Sequence, residues 1–136
     1  MSSEIDFAAL RRAAREVMAR AYAPYSGFPV GAAAVGVEGH IVRGCNVENV
    51  SYGLGVCAEV ALVSAAVSSG VRQLRAISVC DAHGRILTPC GRCRQVLLEF
   101  GGPGMIVDTV HGPRALAELL PDAFGPADLD RVGEAR

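Results

Sequence analysis

Apolar side chains recur at Phe7, Leu10, Ala14, Val17, Met18 and Ala21, the spacing of a helix with one buried stripe, and predict a helix over residues 4–22. Ser3, with Asp6 three positions on, resembles a capping box that would open it. Two prolines and a glycine make residues 23–29 a loop. β-rich runs over residues 30–37 and 40–47 flank Glu38-Gly39, a hairpin signal because glycine accepts the positive φ of a tight turn. Residues 46–56 are polar and carry Gly53 and Gly55, so they read as a loop. From Cys57 to Ser69 the composition turns to Ala, Val and Leu, predicting a helix that Gly70 ends. Leu74 to Cys80 reads as a strand and residues 81–84 as a turn. Pro89 opens a helix running to about Phe100, closed by Gly101-Gly102-Pro103. Met105 to Asp108 reads as a short strand, Pro113 to Leu120 as a short helix, and the tail after Gly125 as frayed chain. This alternation of strands and helices after residue 40 implies a mixed sheet with helices packed on it.

At 136 residues, 51% hydrophobic and 20% charged, the chain suits a single folded domain over 1–136. All 13 basic side chains are Arg, and against 14 acids the net charge is -1 without a run of one sign. A protein gripping nucleic acid through phosphates would carry a basic excess, so the balance points to a small-molecule substrate and no nucleic-acid partner. No apolar run approaches the roughly 20 residues that cross a bilayer, and the start lacks a signal-peptide pattern. The expected location is cytoplasmic, away from membranes. There, Cys45, Cys57, Cys80, Cys90 and Cys93 read as thiols or metal ligands rather than disulfides.

Pro89-Cys90-Gly91-Arg92-Cys93 carries the sharpest chemistry. Cysteines three apart on a helix lie about 60° from each other, so both sulfurs can reach one ion. A helix start also favours thiolate, the form that binds metal. Cys57 opens another predicted helix, and three thiolates leave the fourth position of a zinc ion free for water. Glu59, in Cys57-Ala58-Glu59, completes the Cys-x-Glu and Pro-Cys-x-x-Cys pattern of zinc deaminases, in which the Glu moves protons. Residues two apart on a regular helix point roughly 200° apart, so Glu59 faces the ion only if the helix start is suitably placed. A structural zinc would instead need a fourth protein ligand from Cys45 or Cys80. Cys80, ending an apolar strand, reads as a buried thiol. His40, His83 and His111 fall in predicted turns or loops and read as surface residues.

Beyond these four residues, the chain resembles a cytidine deaminase of the small homotetrameric type. The resemblance runs from about Tyr22 to Phe124. It rests on Tyr25-Ser26-Gly27-Phe28-Pro29-Val30-Gly31-Ala32-Ala33, Gly44-Cys45-Asn46-Val47-Glu48-Asn49, Ser51-Tyr52-Gly53-Leu54, the two cysteine motifs with Arg94-Gln95, and Leu119-Leu120-Pro121-Asp122-Ala123-Phe124. It implies a three-layer α/β/α sandwich around a mixed five-stranded sheet and one Zn2+ per subunit on Cys57, Cys90 and Cys93. The implied activity is hydrolytic deamination of cytidine and deoxycytidine by zinc-activated water in pyrimidine salvage, with Glu59 as catalytic proton shuttle. Phe28 is then the aromatic packed on the pyrimidine, Asn46 and Glu48 the pair holding the ribose 3'-hydroxyl, and Ala58 a backbone contact to the base edge. The resemblance makes Phe124 an aromatic inserted by a neighbouring subunit and Tyr52 one near the subunit junction, in a homotetramer with shared active sites. Without the resemblance, Asn46 and Glu48 read more readily as a solvated loop than as ligand contacts, and Phe28 and Phe124 as packing anchors.

Val60 departs from the pattern, since that position often holds an Arg that hydrogen-bonds the zinc thiolates; Arg92 and Arg94 are the nearby cations. Three rivals share part of the pattern. A deaminase of a modified cytosine nucleoside such as blasticidin S is countered by the intact Asn46-Val47-Glu48-Asn49. An editor of adenosine in tRNA would place His at position 57 and carry a basic surface. A non-enzymatic structural zinc module would close the fourth coordination site.

Overall fold

A computed structural model describes residues 4–134. The elements are α1 (Phe7–Met18), β1 (Gly31–Gly36), β2 (Ile41–Cys45), a 3-10 turn (Tyr52–Leu54), α2 (Ala58–Ser68), β3 (Leu74–Cys80), α3 (Gly91–Gly101), β4 (Ile106–Thr109), β5 (Gly112–Ala115), α4 (Leu116–Leu119) and α5 (Pro126–Glu134). The five strands form one mixed sheet in the order β2-β1-β3-β4-β5, with only β3 and β4 parallel.

Strand alternation divides the core into two layers. Ala33, Ala76 and Cys80 face α1 with Leu10, Ala13 and Ala14. Ala32, Ala34, Ile77, Val79 and Val107 face the other way, against Ala58, Leu62 and Ala66 of α2 and Leu97 of α3. A bidentate bond from Arg11 to the fully buried Asp108, at 2.8 and 2.9 Å, ties α1 to β4. The Ser78 hydroxyl donates to the same carboxylate at 2.8 Å, bringing in β3.

Register decides where chemistry can gather. Because β1 runs antiparallel to both neighbours, Gly31 at its start sits opposite Cys45 at the end of β2 and Cys80 at the end of β3. The segment before β1 and the segments after β2 and β3 therefore share one end of the sheet. Both α2 and α3 begin there. Close packing of α2 needs Gly44, since a Cβ would overlap the Leu62 nitrogen and the Ala58 oxygen.

Several predicted boundaries shift, each for a local reason. Asp6 itself is the N-cap of α1, its side chain accepting the Ala9 N–H at 3.0 Å, so the helix starts later than expected; Ser3 lies outside the described residues. The expected helix over 113–120 is a strand through Ala115 followed by one turn of helix, because Ile106 to Thr109 pairs with Gly112 to Ala115. The tail is not frayed through Glu134. Pro126 begins α5, and Asp128 both accepts the Gly125 N–H at 2.8 Å and pairs with Arg131.

Gly44→Ala should lower unfolding free energy by about 1–3 kcal/mol in urea denaturation, because the added methyl meets backbone that cannot rotate away. An unchanged midpoint would contradict the close approach of α2 to β2.

Candidate active site

Three thiols meet where α2 and α3 begin. Cys57 is the N-cap of α2 and Cys90 the N-cap of α3, both extended, with ψ of 155° and 167°. Cys93 is in the first turn of α3 and fully buried. The three ligand atoms lie within 4.8 Å of one another. A zinc ion bound at about 2.3 Å per thiolate spaces tetrahedral sulfurs about 3.8 Å apart, so a small contraction suffices. The donor set also fits the metal chemically, since thiolates select zinc and two helix N-termini face them.

Because Cys57 precedes the helix proper, the roughly 200° separation of a regular helix does not apply to it and Glu59. The Glu59 side chain is only 5% exposed and lines the same cleft as Cys57 and Cys90, which places it beside the thiol cluster. Burial pushes its carboxyl up from the usual range, against lowering contributions from its own N–H and from Cys93. Burial likewise raises Cys57 and, together with the Glu59 charge, raises Cys93 strongly. At Cys90 burial also acts upward, but the Cys93 backbone N–H and hydrogen bonds with the Cys93 and Cys57 thiols outweigh it, and the net shift is down. Negative charge on several of these groups at once is disfavoured in so small a volume, and a bound cation offsets it.

The cleft beside the thiols encloses about 340 Å³, in the range of small-ligand sites. Of the residues singled out from sequence, Phe28, Asn46, Glu48, Cys57, Ala58, Glu59 and Cys90 line it. Phe28 is 51% exposed and Ala58 is buried at the first position of α2. Asn46 accepts the Val30 N–H at 2.8 Å and donates to the Phe28 carbonyl at 3.0 Å. Glu48 accepts from Tyr25 N–H, Ser26 N–H and the Ser26 hydroxyl; that hydroxyl above all holds its carboxyl below the usual range. Tyr52 and Phe124 do not line this cleft. Tyr52 is 81% exposed beside Tyr25, with ring centroids 6.1 Å apart, and Phe124 lies against α3, where Gln95 donates to its carbonyl at 2.9 Å.

Sequence reasoning passed over Ser26 and Thr88, which line the cleft, and took Arg94 only as a nearby cation, whereas it braces the cleft. The Arg94 guanidinium donates to the carbonyls of Pro89 at 2.8 Å and Leu119 at 2.7 Å, so it holds the segment leading into Cys90 instead of sitting on the thiolates. Arg92 is exposed. The charge offset that Val60 does not provide falls to the N-terminal dipoles of α2 and α3. The signal for Ser26 was its place two residues before Phe28, the spacing at which a hydroxyl caps a turn.

The Cytidine and deoxycytidylate deaminase zinc-binding region matches residues 6–109. A cytidine deaminase of Mycobacterium tuberculosis is 55% identical over 128 residues, covering 94% of this chain and 96% of that protein. The cytidine deaminase of Sporosarcina psychrophila is 43% identical over 121 residues, covering 85% and 88%. Among solved structures, cytidine deaminase from M. tuberculosis superposes with a TM-score of 0.88 at 55% identity over 90% of this chain and 99% of that one. That from Mycobacterium leprae gives 0.86 at 44%, covering 88% and 100%.

Cys90→Ser, at an exposed ligand position, should weaken zinc binding more than about a hundredfold while leaving the far-UV CD spectrum intact. Zinc content per chain after dialysis against a weak chelator measures this. Retention of a full equivalent would remove Cys90 from the ligand set.

Proposed function

The chain belongs to the cytidine and deoxycytidylate deaminase family, and on that premise we propose that it deaminates cytidine and deoxycytidine hydrolytically with Glu59 moving the protons. The single observation that carries the reading is the buried Glu59 carboxyl set against three thiols, at a cleft of nucleoside size. The enzyme is zinc-dependent, and zinc held by Cys57, Cys90 and Cys93 supplies the Lewis acidity that activates water near neutral pH.

The chain's own residues do the rest. Glu59 takes a proton from the attacking water and delivers it to N3 of the pyrimidine, making C4 electrophilic. Its raised affinity for a proton, caused by burial, suits it to hold one between the two transfers. The deprotonated water adds to C4. Glu59 then takes the proton left on that oxygen and passes it to the exocyclic amino group, which leaves as ammonia as the C4–N bond breaks and the C4 carbonyl forms. Phe28 packs on the ring, and the backbone at Ala58, the first residue of α2, meets the base edge with an N–H that no helical carbonyl claims.

Asn46 and Glu48 take the sugar. Their bonds to the protein leave one amide hydrogen on Asn46 and one lone pair on the outer Glu48 oxygen. A hydroxyl that accepts from the first and donates to the second satisfies both.

A homotetramer with shared sites is supported by what one chain leaves uncovered. Val50, Tyr52 and Leu54 are 76%, 81% and 68% exposed, and α2 is apolar on nearly every side, with Ala65 at the surface. Tyr52 and Phe124 then serve the site of a neighbouring subunit. The reading is completed by one deaminase domain over 1–136 acting in the cytoplasm on free nucleosides in pyrimidine salvage. No described helix is long and apolar enough to cross a membrane.

Glu59→Gln should keep its zinc and lose about 10²–10⁴-fold in kcat, followed by the fall in cytidine absorbance. A variant with full zinc and full turnover would exclude Glu59 from proton transfer. Sedimentation of the wild type should give four chains, and Tyr52→Ala should lower both assembly and activity; full activity as a monomer would overturn the shared site.

A further inference from the structure

The loop before β1 contains a relay that the thiols and Glu59 do not require. One oxygen of Glu48 accepts the N–H groups of Tyr25 and Ser26, at 3.0 and 3.1 Å, and the other accepts the Ser26 hydroxyl. That same hydroxyl accepts the Phe28 N–H at 3.0 Å. The Phe28 carbonyl accepts from Asn46 at 3.0 Å. Both main-chain polar groups of Phe28 are thus fixed by the residues assigned to the sugar, one directly by Asn46 and one by Glu48 through Ser26.

This matters because the ring has little else to hold it. Phe28 is 51% exposed and follows Gly27, whose φ of 66° is open to few other residues. The ring's direction is set by its backbone, and its backbone by these bonds. A carboxylate offers about four lone-pair positions, of which the loop occupies three, so a sugar hydroxyl arriving at Glu48 shares an oxygen with Ser26. Sugar capture and ring placement meet at one side-chain oxygen.

We infer that Ser26 is a specificity-determining positioning residue whose hydroxyl couples sugar capture by Glu48 to placement of the Phe28 ring against the base. The inference rests on the reading above, in which Asn46 and Glu48 hold the 3'-hydroxyl and Phe28 packs on the pyrimidine. Without the Ser26 hydroxyl, Glu48 keeps two of its three bonds and Phe28 N–H turns to water. Binding must then order both groups anew. Ser26 is exposed, so its removal leaves the core untouched.

The test crosses enzyme variant with substrate. A hydrogen bond to a charged group is worth about ten- to hundredfold, so wild-type kcat/KM should favour cytidine over 3'-deoxycytidine by about that factor. In Ser26→Ala that preference should shrink by about three- to tenfold, through KM for cytidine more than through kcat, with zinc content unchanged. Ser26→Thr, which keeps the hydroxyl, should restore the preference to within about twofold. A preference that survives Ser26→Ala unchanged, with both substrates declining together, overturns the coupling and leaves Ser26 a structural role only. A wild type indifferent to the 3'-hydroxyl overturns the sugar reading, and the coupling with it. Should Ser26→Ala fail to melt cooperatively, Ser26→Cys, a much weaker donor of similar volume, takes its place under the same criterion.

Discussion

Two helix N-termini facing one small volume are the constraint around which this molecule is arranged. Three thiols and a buried carboxyl share that volume, where burial and neighbouring negative charge push the Cys57 and Cys93 thiols up. A positive environment is needed to hold them as anions, and few geometries provide one without a basic side chain. The unpaired N–H groups at the starts of α2 and α3 do so, provided both helices begin at the same end of the sheet. That follows from β1 lying antiparallel between β2 and β3. It also explains two close contacts. Gly44 lets α2 settle onto β2, and Arg94 ties the carbonyl before Cys90 to α4. Small errors in either contact would separate the sulfurs.

The parts of this arrangement that were readable in the sequence are those with local signals. Cys57, Glu59, Cys90 and Cys93 carry their chemistry in residue type and spacing, and the 30–47 hairpin announces itself through Glu38-Gly39. The orientation of Glu59 was not readable, because it depends on Cys57 being an extended N-cap rather than a helical residue. β5 was missed for a different reason. Gly112-Pro113-Arg114-Ala115 has poor strand character and becomes a strand only because β4 is beside it, on a sheet edge where proline is tolerated. α5 depends on the side chain of Asp128 reaching Gly125, a contact that residue type permits without announcing.

The binding half of the site follows a different logic from the metal half. Thiols are held by secondary structure, whereas Phe28, Asn46 and Glu48 lie on segments outside it. Loops of this kind gain precision only from internal hydrogen bonds. Here the polar residues that face the cleft also supply those bonds: Asn46 spans Phe28 and Val30, and Glu48 gathers Tyr25 and Ser26. A residue that both builds the loop and contacts the ligand cannot be replaced for one purpose alone. Isosteric changes there should therefore be felt twice.

The C-terminal segment joins the same frame from the other side. Consecutive residues of α3, following the thiol of Cys93, reach out to it: Arg94 to the Leu119 carbonyl and Gln95 to the Phe124 carbonyl. The helix that presents two of the three thiols thus also sets where Phe124 stands, outside its own chain's cleft. If Phe124 serves a neighbouring subunit, the geometry of one metal centre is transmitted through α3 to the wall of the next. The transmission is short, passing through two side chains and one turn of helix, and it needs no motion. Rigid placement is sufficient, because an aromatic held by its own carbonyl can complete a site only where the donor helix fixes it.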